Sequence, residues 1–327
     1  MSDREDLLVS IAETIADYRA GDVAAPTPEH VDAWIRQFDD AVQEPMLAEL
    51  DHVLKKTYIS KETVENFLSR LAKENKLAGD DPCSFWKTVK FLAIQDRGNS
   101  QHQMLDMFDG VLQEECGFGI EDCGEDPEAF VYLDDGIFTG NTVLNDLGGW
   151  IQSSAPEVTK VHVLVMAVHT GGEYYADSRI AKIARDANKK IGVSWWYLRT
   201  IFDQKRYTDT SDVLRPAALP DDQPTRDYVA TLGFPPVFRK PGSIGENKFF
   251  SCEEGRNLLE QEFLKAGVKI RTLCPHLNKY QRPLGNMLLQ TLGFGSLIVT
   301  FRNCPNNAPL ALWVGDPWYP LFPRKTN

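Results

Sequence analysis

The sequence predicts an α/β fold: a parallel sheet with an N-terminal helical subdomain and a C-terminal α+β extension. Four short apolar runs, at 89–95, 130–133, 161–168 and 193–201, have the composition of buried parallel strands. Segments of helical period at 102–115, 143–153 and 175–188 lie between them, and such alternation builds a parallel sheet with helices on its faces. The flanks differ in texture, being helix-patterned before residue 80 and polar and proline-rich after residue 205. Residues 1–80, 81–205 and 206–327 are therefore expected to form the helical region, the α/β core and an extension that completes or covers the core.

The helical region opens with Ser2 and Glu5 at capping-box spacing, followed by Leu7, Leu8, Ile11 and Ile15. Gly21 to Pro26 breaks that helix, and Thr27-Pro28-Glu29 restarts it with an N-cap, a proline in the first turn and an acid. Val31, Trp34, Ile35 and Phe38 form the next apolar face, and Met46, Leu47, Leu50, Val53 and Leu54 the one after. Ser60 is expected to cap a further helix with Val64, Phe67, Leu68 and Leu71 inside. These helices either pack on the sheet or offer a docking surface to a protein partner, and the charge pattern does not choose between the two. Asp80-Asp81-Pro82 reads as a boundary, and 118–128 as an acidic exposed loop. Beyond the core, a short helix is expected at 225–232. A longer helix is expected from Ser251-Cys252-Glu253-Glu254 to a stop at Gly267, and a late strand at 293–301.

Lys and Arg total 35 against 47 Asp and Glu, a net charge of −12, which makes the chain a poor general binder of nucleic acid or anionic membrane. No apolar run is long enough to span a bilayer, and the first residues lack a signal-peptide pattern. The cysteines at 83, 116, 123, 252, 274 and 304 are scattered without a Cys-x-x-Cys pair, so reduced thiols in a cytoplasm are expected.

The chemistry concentrates after the second strand. Phe130 to Leu133 ends in Asp134 and Asp135, a loop with Gly136, Thr139, Gly140 and Thr142 follows, and a helix starts at Val143. A helix amino end behind a glycine-bearing loop presents backbone N–H groups to an anion. The two carboxylates repel a phosphate but suit the hydroxyls of an attached sugar, or a metal. Loops at the carboxyl ends of parallel strands are where ligands sit, so His169 and Thr170 are candidates to line the pocket, with a satisfied strand-end histidine as the plainer alternative.

Asp-Asp-x-x-x-Thr-Gly-x-Thr after an apolar strand resembles the phosphoribosyl pyrophosphate (PRPP) motif of type I phosphoribosyltransferases. The resemblance covers about 89–201 and implies a parallel sheet of the type I phosphoribosyltransferase kind. It implies that Asp134 and Asp135 hold the ribose hydroxyls, with Mg²⁺, and that Gly136, Thr139, Gly140, Asn141 and Thr142 hold the 5′-phosphate. In that family the loop after the preceding strand binds pyrophosphate, which here falls on Arg97, Gly98, Asn99 and Ser100. The implied reaction is displacement of pyrophosphate at the anomeric carbon, with Asp134, Asp135 and Arg97 as its catalytic residues. Phe138 stands where purine-salvage members carry an acid, which speaks against a 6-oxopurine acceptor, and only 118–128 is available as a hood. The helical front and the tail Phe301-Arg302-Asn303-Cys304-Pro305-Asn306-Asn307 are similar to the divergent PRTase-CE type, which implies an effector role in bacterial antiphage defence. Beside a scaffold with a vestigial site, against which the intact Asp134, Asp135, Thr139, Gly140 and Thr142 speak, two function classes follow. One is an enzyme that transfers or hydrolyses PRPP or a related ribose 5-phosphate ligand with Mg²⁺. The other is a non-catalytic ribose-phosphate or nucleotide sensor that regulates a partner through the N-terminal helices.

Overall fold

The computed structural model describes residues 4–95 and 100–324. Helices α1 (Arg4–Thr14), α2 (Pro28–Ile35) and α3 (Asp40–Thr57) lead into a short strand, β1 (Tyr58–Ile59). Helices α4 (Lys61–Ala72), α5 (Asn75–Ala78) and α6 (Pro82–Lys87) follow. The alternating region runs β2 (Val89–Phe91), α7 (Ser100–Cys116), β3 (Ala129–Ile137), α8 (Asn141–Ser153), β4 (Val158–His169), α9 (Thr170–Asp186) and β5 (Lys190–Ile201). The remainder holds α10 (Gln223–Ala230), α11 (Glu253–Leu273), β6 (Gln281–Arg282), β7 (Gly285–Asn286), β8 (Val299–Thr300) and α12 (Leu310–Trp313).

The chain divides into two compact units, one of residues 1–61 with 202–327, the other of residues 62–201. This differs from divisions near 80 and 205: the first 61 residues share a unit with the C-terminal segment, and most of α4 together with α5 and α6 goes with the sheet. Asp81-Pro82, read as a boundary, is instead a helix start. The Asp81 carboxylate accepts the Ser84 N–H at 3.2 Å, and Pro82 sits in the first turn, where its missing N–H costs nothing.

In the unit of residues 62–201, four strands pair in parallel in the order β2-β3-β4-β5. Strand alternation puts Tyr132, Val163 and Val165 into one core cluster with Val143, Leu147 and Ile151 of α8 and Ala176 and Ile180 of α9. Phe91, Trp86 and Phe108 form an aromatic cluster joining β2, α6 and α7. Strand β2 is shorter than the apolar run suggests. The N–H groups of Ile94 and Gln95 are taken by the Gln101 side chain, so no ladder continues there. Strand β3 is longer, since pairing with β4 carries it through the acidic pair to Ile137. The expectation of reduced thiols is corrected at one pair: Cys83 and Cys116 form a disulfide between α6 and the end of α7. Their spacing of 33 residues gives no local signal, and tertiary packing brings them together.

In the other unit, α1 packs on α2 and α3, and α11 on α3 and α12. The polar segment after residue 205 is tied down by a buried charge cluster. Glu260, fully buried, accepts from Arg239 Nε at 3.0 Å, Arg256 Nε at 2.8 Å and the Arg215 N–H at 3.0 Å. Helix α11 runs through Gly267 rather than stopping there, because the missing side chain admits the Pro283 backbone. The late strand contracts to β8, paired in parallel with β1. Among the described residues no helix is long and apolar enough to cross a membrane.

Candidate functional site

The carboxyl end of β3 places the acidic pair. Period-two alternation turns Asp134 and Asp135 to opposite faces, and their surroundings differ. Asp134 is 5% exposed, whereas Asp135 is half-buried. The Asp134 carboxylate is held within the fold, since Oδ1 accepts the Asp135 N–H at 2.8 Å and Oδ2 accepts from Gln95 Nε2 at 3.3 Å. The Tyr132 hydroxyl lies 3.4 Å from the same oxygen and 2.7 Å from Asp146 Oδ2 on α8. It has one hydrogen, and the shorter contact takes it. Burial first, and the two neighbouring carboxylates second, push the Tyr132 phenol well above its ordinary value, so it stays a neutral donor.

Beyond Ile137 the chain turns sharply into α8. Gly140 takes the N-cap position at φ +78°, a left-handed conformation that glycine adopts without penalty. It also abuts the carbonyl of Gly172 on α9, where a Cβ would collide with backbone. With glycine as the cap, the N-cap residue offers no side chain to the first N–H groups of α8, and the helix bonds begin with Leu144 N–H to the Gly140 carbonyl at 3.1 Å. Thr139 Oγ1 accepts from Asn141 Nδ2 at 3.2 Å, and Thr142 is exposed on the first turn. Gly136, Thr139, Gly140, Asn141 and Thr142 thus come together around one helix amino end, next to Asp135.

Of the residues expected to hold a leaving group, Arg97, Gly98 and Asn99 lie outside the described residues. Ser100 opens α7, and its hydroxyl donates to Gln95 Oε1 at 3.0 Å. Thr170 is the first residue of α9. His169 is fully buried, and its Nδ1 donates to the Ile137 carbonyl at 3.0 Å, so it is a joint between β4 and β3 rather than a pocket wall. The ring of Phe138 lies on it at a centroid distance of 4.9 Å. Among the described residues no three His, Cys, Asp or Glu side chains are grouped to hold a metal ion. Asp134 is turned to the other face and engaged within the fold, so Asp135 is the carboxylate whose chemistry suits Mg²⁺, an ion that keeps several waters and completes its shell with substrate oxygens.

Three residues at this end of the sheet escaped the sequence reading. Gln95 and Gln101 form the bonds given above. Arg199 on β5 is in register with Ala167 and, through it, with Gly136. Its Nη1 is buried with no hydrogen-bond partner among the described residues, and desolvation lowers its pKa. The available signal was an arginine near the carboxyl end of an aromatic strand.

A parallel sheet whose central strand delivers an acidic pair to an uncapped helix end is consistent with a phosphoribosyltransferase-like fold. The model of the PRTase-CE family matches residues 31–324, and the chain belongs to that family. No curated protein and no solved structure matches it.

Proposed function

We propose that the chain binds PRPP or a related ribose 5-phosphate ligand at the carboxyl end of β3 and releases pyrophosphate from it, as an effector in bacterial defence. Membership of a phosphoribosyltransferase-type family supports the class. The observation that carries the ligand is the juxtaposition of Asp135, half-buried and at a strand end, with the uncapped amino end of α8 behind Gly140. The first suits vicinal hydroxyls, the second a dianionic phosphate, and the two are the ends of a ribose 5-phosphate.

In the proposed reaction the bond from C1′ to the pyrophosphate oxygen breaks and its electron pair leaves with pyrophosphate. Water or an acceptor then forms the new bond to C1′. The α8 N–H groups with Thr139 and Thr142 hold the 5′-phosphate, and Asp134 keeps the strand end rigid while Asp135 orients the ribose. Asp135 would hold Mg²⁺, which when bound neutralises charge on the leaving group. Arg199, whose Nη1 has no hydrogen-bond partner among the described residues, and Ser100 with the preceding residues of its loop are proposed to face the remaining oxygens. The test is Mg²⁺-dependent release of pyrophosphate from PRPP. Asp135→Asn is expected to abolish release, and unchanged release in that variant removes the site from the account.

One observation favours a second reading, a sensor that binds without turnover. Phe138 packs on the buried His169 and leaves no proton-exchanging group at that position of the loop. The sensor predicts tight binding with PRPP recovered intact.

A further inference from the structure

Gln95, beyond β2, and Gln101, in the first turn of α7, make a reciprocal clasp. Gln101 Oε1 accepts the N–H groups of Ile94 at 2.7 Å and Gln95 at 2.9 Å. Gln95 Oε1 in turn accepts the Ser100 hydroxyl at 3.0 Å and the Gln101 N–H at 3.4 Å, capping the first turn of α7. Both amides are fixed in orientation, because each carbonyl oxygen faces only donors. Gln95 Nε2 is thereby directed to Asp134 Oδ2 at 3.3 Å. Gln101 is fully buried, and its Nε2 has no partner among the described residues. A buried amide donor without an acceptor is costly, and beside the amino end of a 17-residue helix it is a second feature that calls for ligand oxygens.

Resting on the ribose-phosphate reading, we infer that Gln95 is a positioning residue that couples the amino end of α7, where the pyrophosphate group of the ligand docks, to the acidic pair that meets the ribose. One side chain bonds to both places. A shift of the first turn of α7 on binding pyrophosphate therefore moves the donor on Asp134, and with it the N–H of Asp135 that Asp134 holds. The device makes the two ends of the ligand bind cooperatively, and it favours PRPP over ribose 5-phosphate by more than the added contacts alone.

The experiment is calorimetric binding of PRPP with Mg²⁺ and of ribose 5-phosphate to the full chain, to Gln95→Ala and to Gln95→Glu. The glutamate variant is nearly isosteric. It keeps the acceptor for Ser100 and Gln101 but replaces the donor on Asp134 with a second carboxylate. Both variants are expected to lower the ratio of PRPP to ribose 5-phosphate affinity about tenfold, the cost of about one charge-assisted hydrogen bond. Gln113→Ala, on the exposed side of α7, is expected to leave the ratio unchanged. An unchanged ratio in Gln95→Glu reduces Gln95 to a helix cap and overturns the coupling while leaving the site intact. Binding of neither ligand by the wild type overturns the site and the coupling together.

Discussion

Replacing Gly140 with alanine puts the proposed site under the sharpest strain. At φ +78° an L-residue is about 1–2 kcal/mol worse than glycine. The new Cβ also meets the Gly172 carbonyl and the Ala176 Cβ, and backbone cannot rotate away as a side-chain tip would. Overpacking of this kind costs about 1–3 kcal/mol. The sum, about 2–5 kcal/mol, is a large part of a domain's stability and is relieved only if the 136–140 turn draws back from α9. Either outcome displaces the amino end of α8. Gly149, further along the same helix, provides the control, since a Cβ there meets nothing within 4 Å. Gly149→Ala is expected to stabilise by about 0.5–1 kcal/mol through helix propensity. Urea unfolding followed by tryptophan fluorescence gives both numbers, and calorimetry with PRPP gives the binding loss. If Gly140→Ala unfolds within about 0.5 kcal/mol of the wild type and binds PRPP normally, the turn geometry is not what holds the phosphate, and the reasoning fails.

Reducing the Cys83–Cys116 disulfide reopens a loop with a separation of 33 residues and is expected to cost about 4 kcal/mol by chain entropy, read as a lower urea midpoint in dithiothreitol that a Cys83→Ser variant reproduces without reductant. Glu260→Ala leaves Arg239 and Arg256 buried without their carboxylate and should destabilise by about 3–5 kcal/mol. A Glu260→Ala chain as stable as the wild type would show that the cluster is not buried in solution. His162 accepts from the Ser194 hydroxyl at 2.7 Å, and burial pushes its pKa down to about 4. The unfolded chain takes up that proton near pH 6.5 and the folded chain does not, so this contribution to stability is complete above pH 6.5 and is lost as pH falls towards 4. After discounting for partial exposure the loss is about 2 kcal/mol, and it should vanish in His162→Gln when the two chains are compared at pH 7 and pH 5.

What the sequence made legible is what local pattern encodes. The apolar runs of β3, β4 and β5 and the helices between them follow from composition and period alone, and the Thr27-Pro28 restart is seen as the Thr27 cap of α2. The turn from Asp134 to Gly140 was legible for the same reason, because the acidic pair and the two glycines lie within one short stretch. The rest depends on partners distant in sequence. Nothing near Gln95 signals that Gln101 will take its N–H and end β2. Nothing near Gly267 signals that Pro283 will cross it and let α11 continue. Cys83 and Cys116 meet only because α6 and α7 pack together. The union of residues 1–61 with 202–327 is invisible to any reading that proceeds along the chain, since it rests on long-range contacts such as Ser251 with Glu49 and Trp34 with the Ala311 carbonyl.

The most direct test of the central claim is a calorimetric titration of the purified chain with PRPP and Mg²⁺, with phosphorus NMR on the same sample. Saturable binding is the predicted result, accompanied by a pyrophosphate signal that grows faster than in buffer. PRPP that is bound but persists unchanged would make the protein a sensor. No heat of binding at any concentration would contradict the assignment of the Asp134–Thr142 segment to a ribose phosphate.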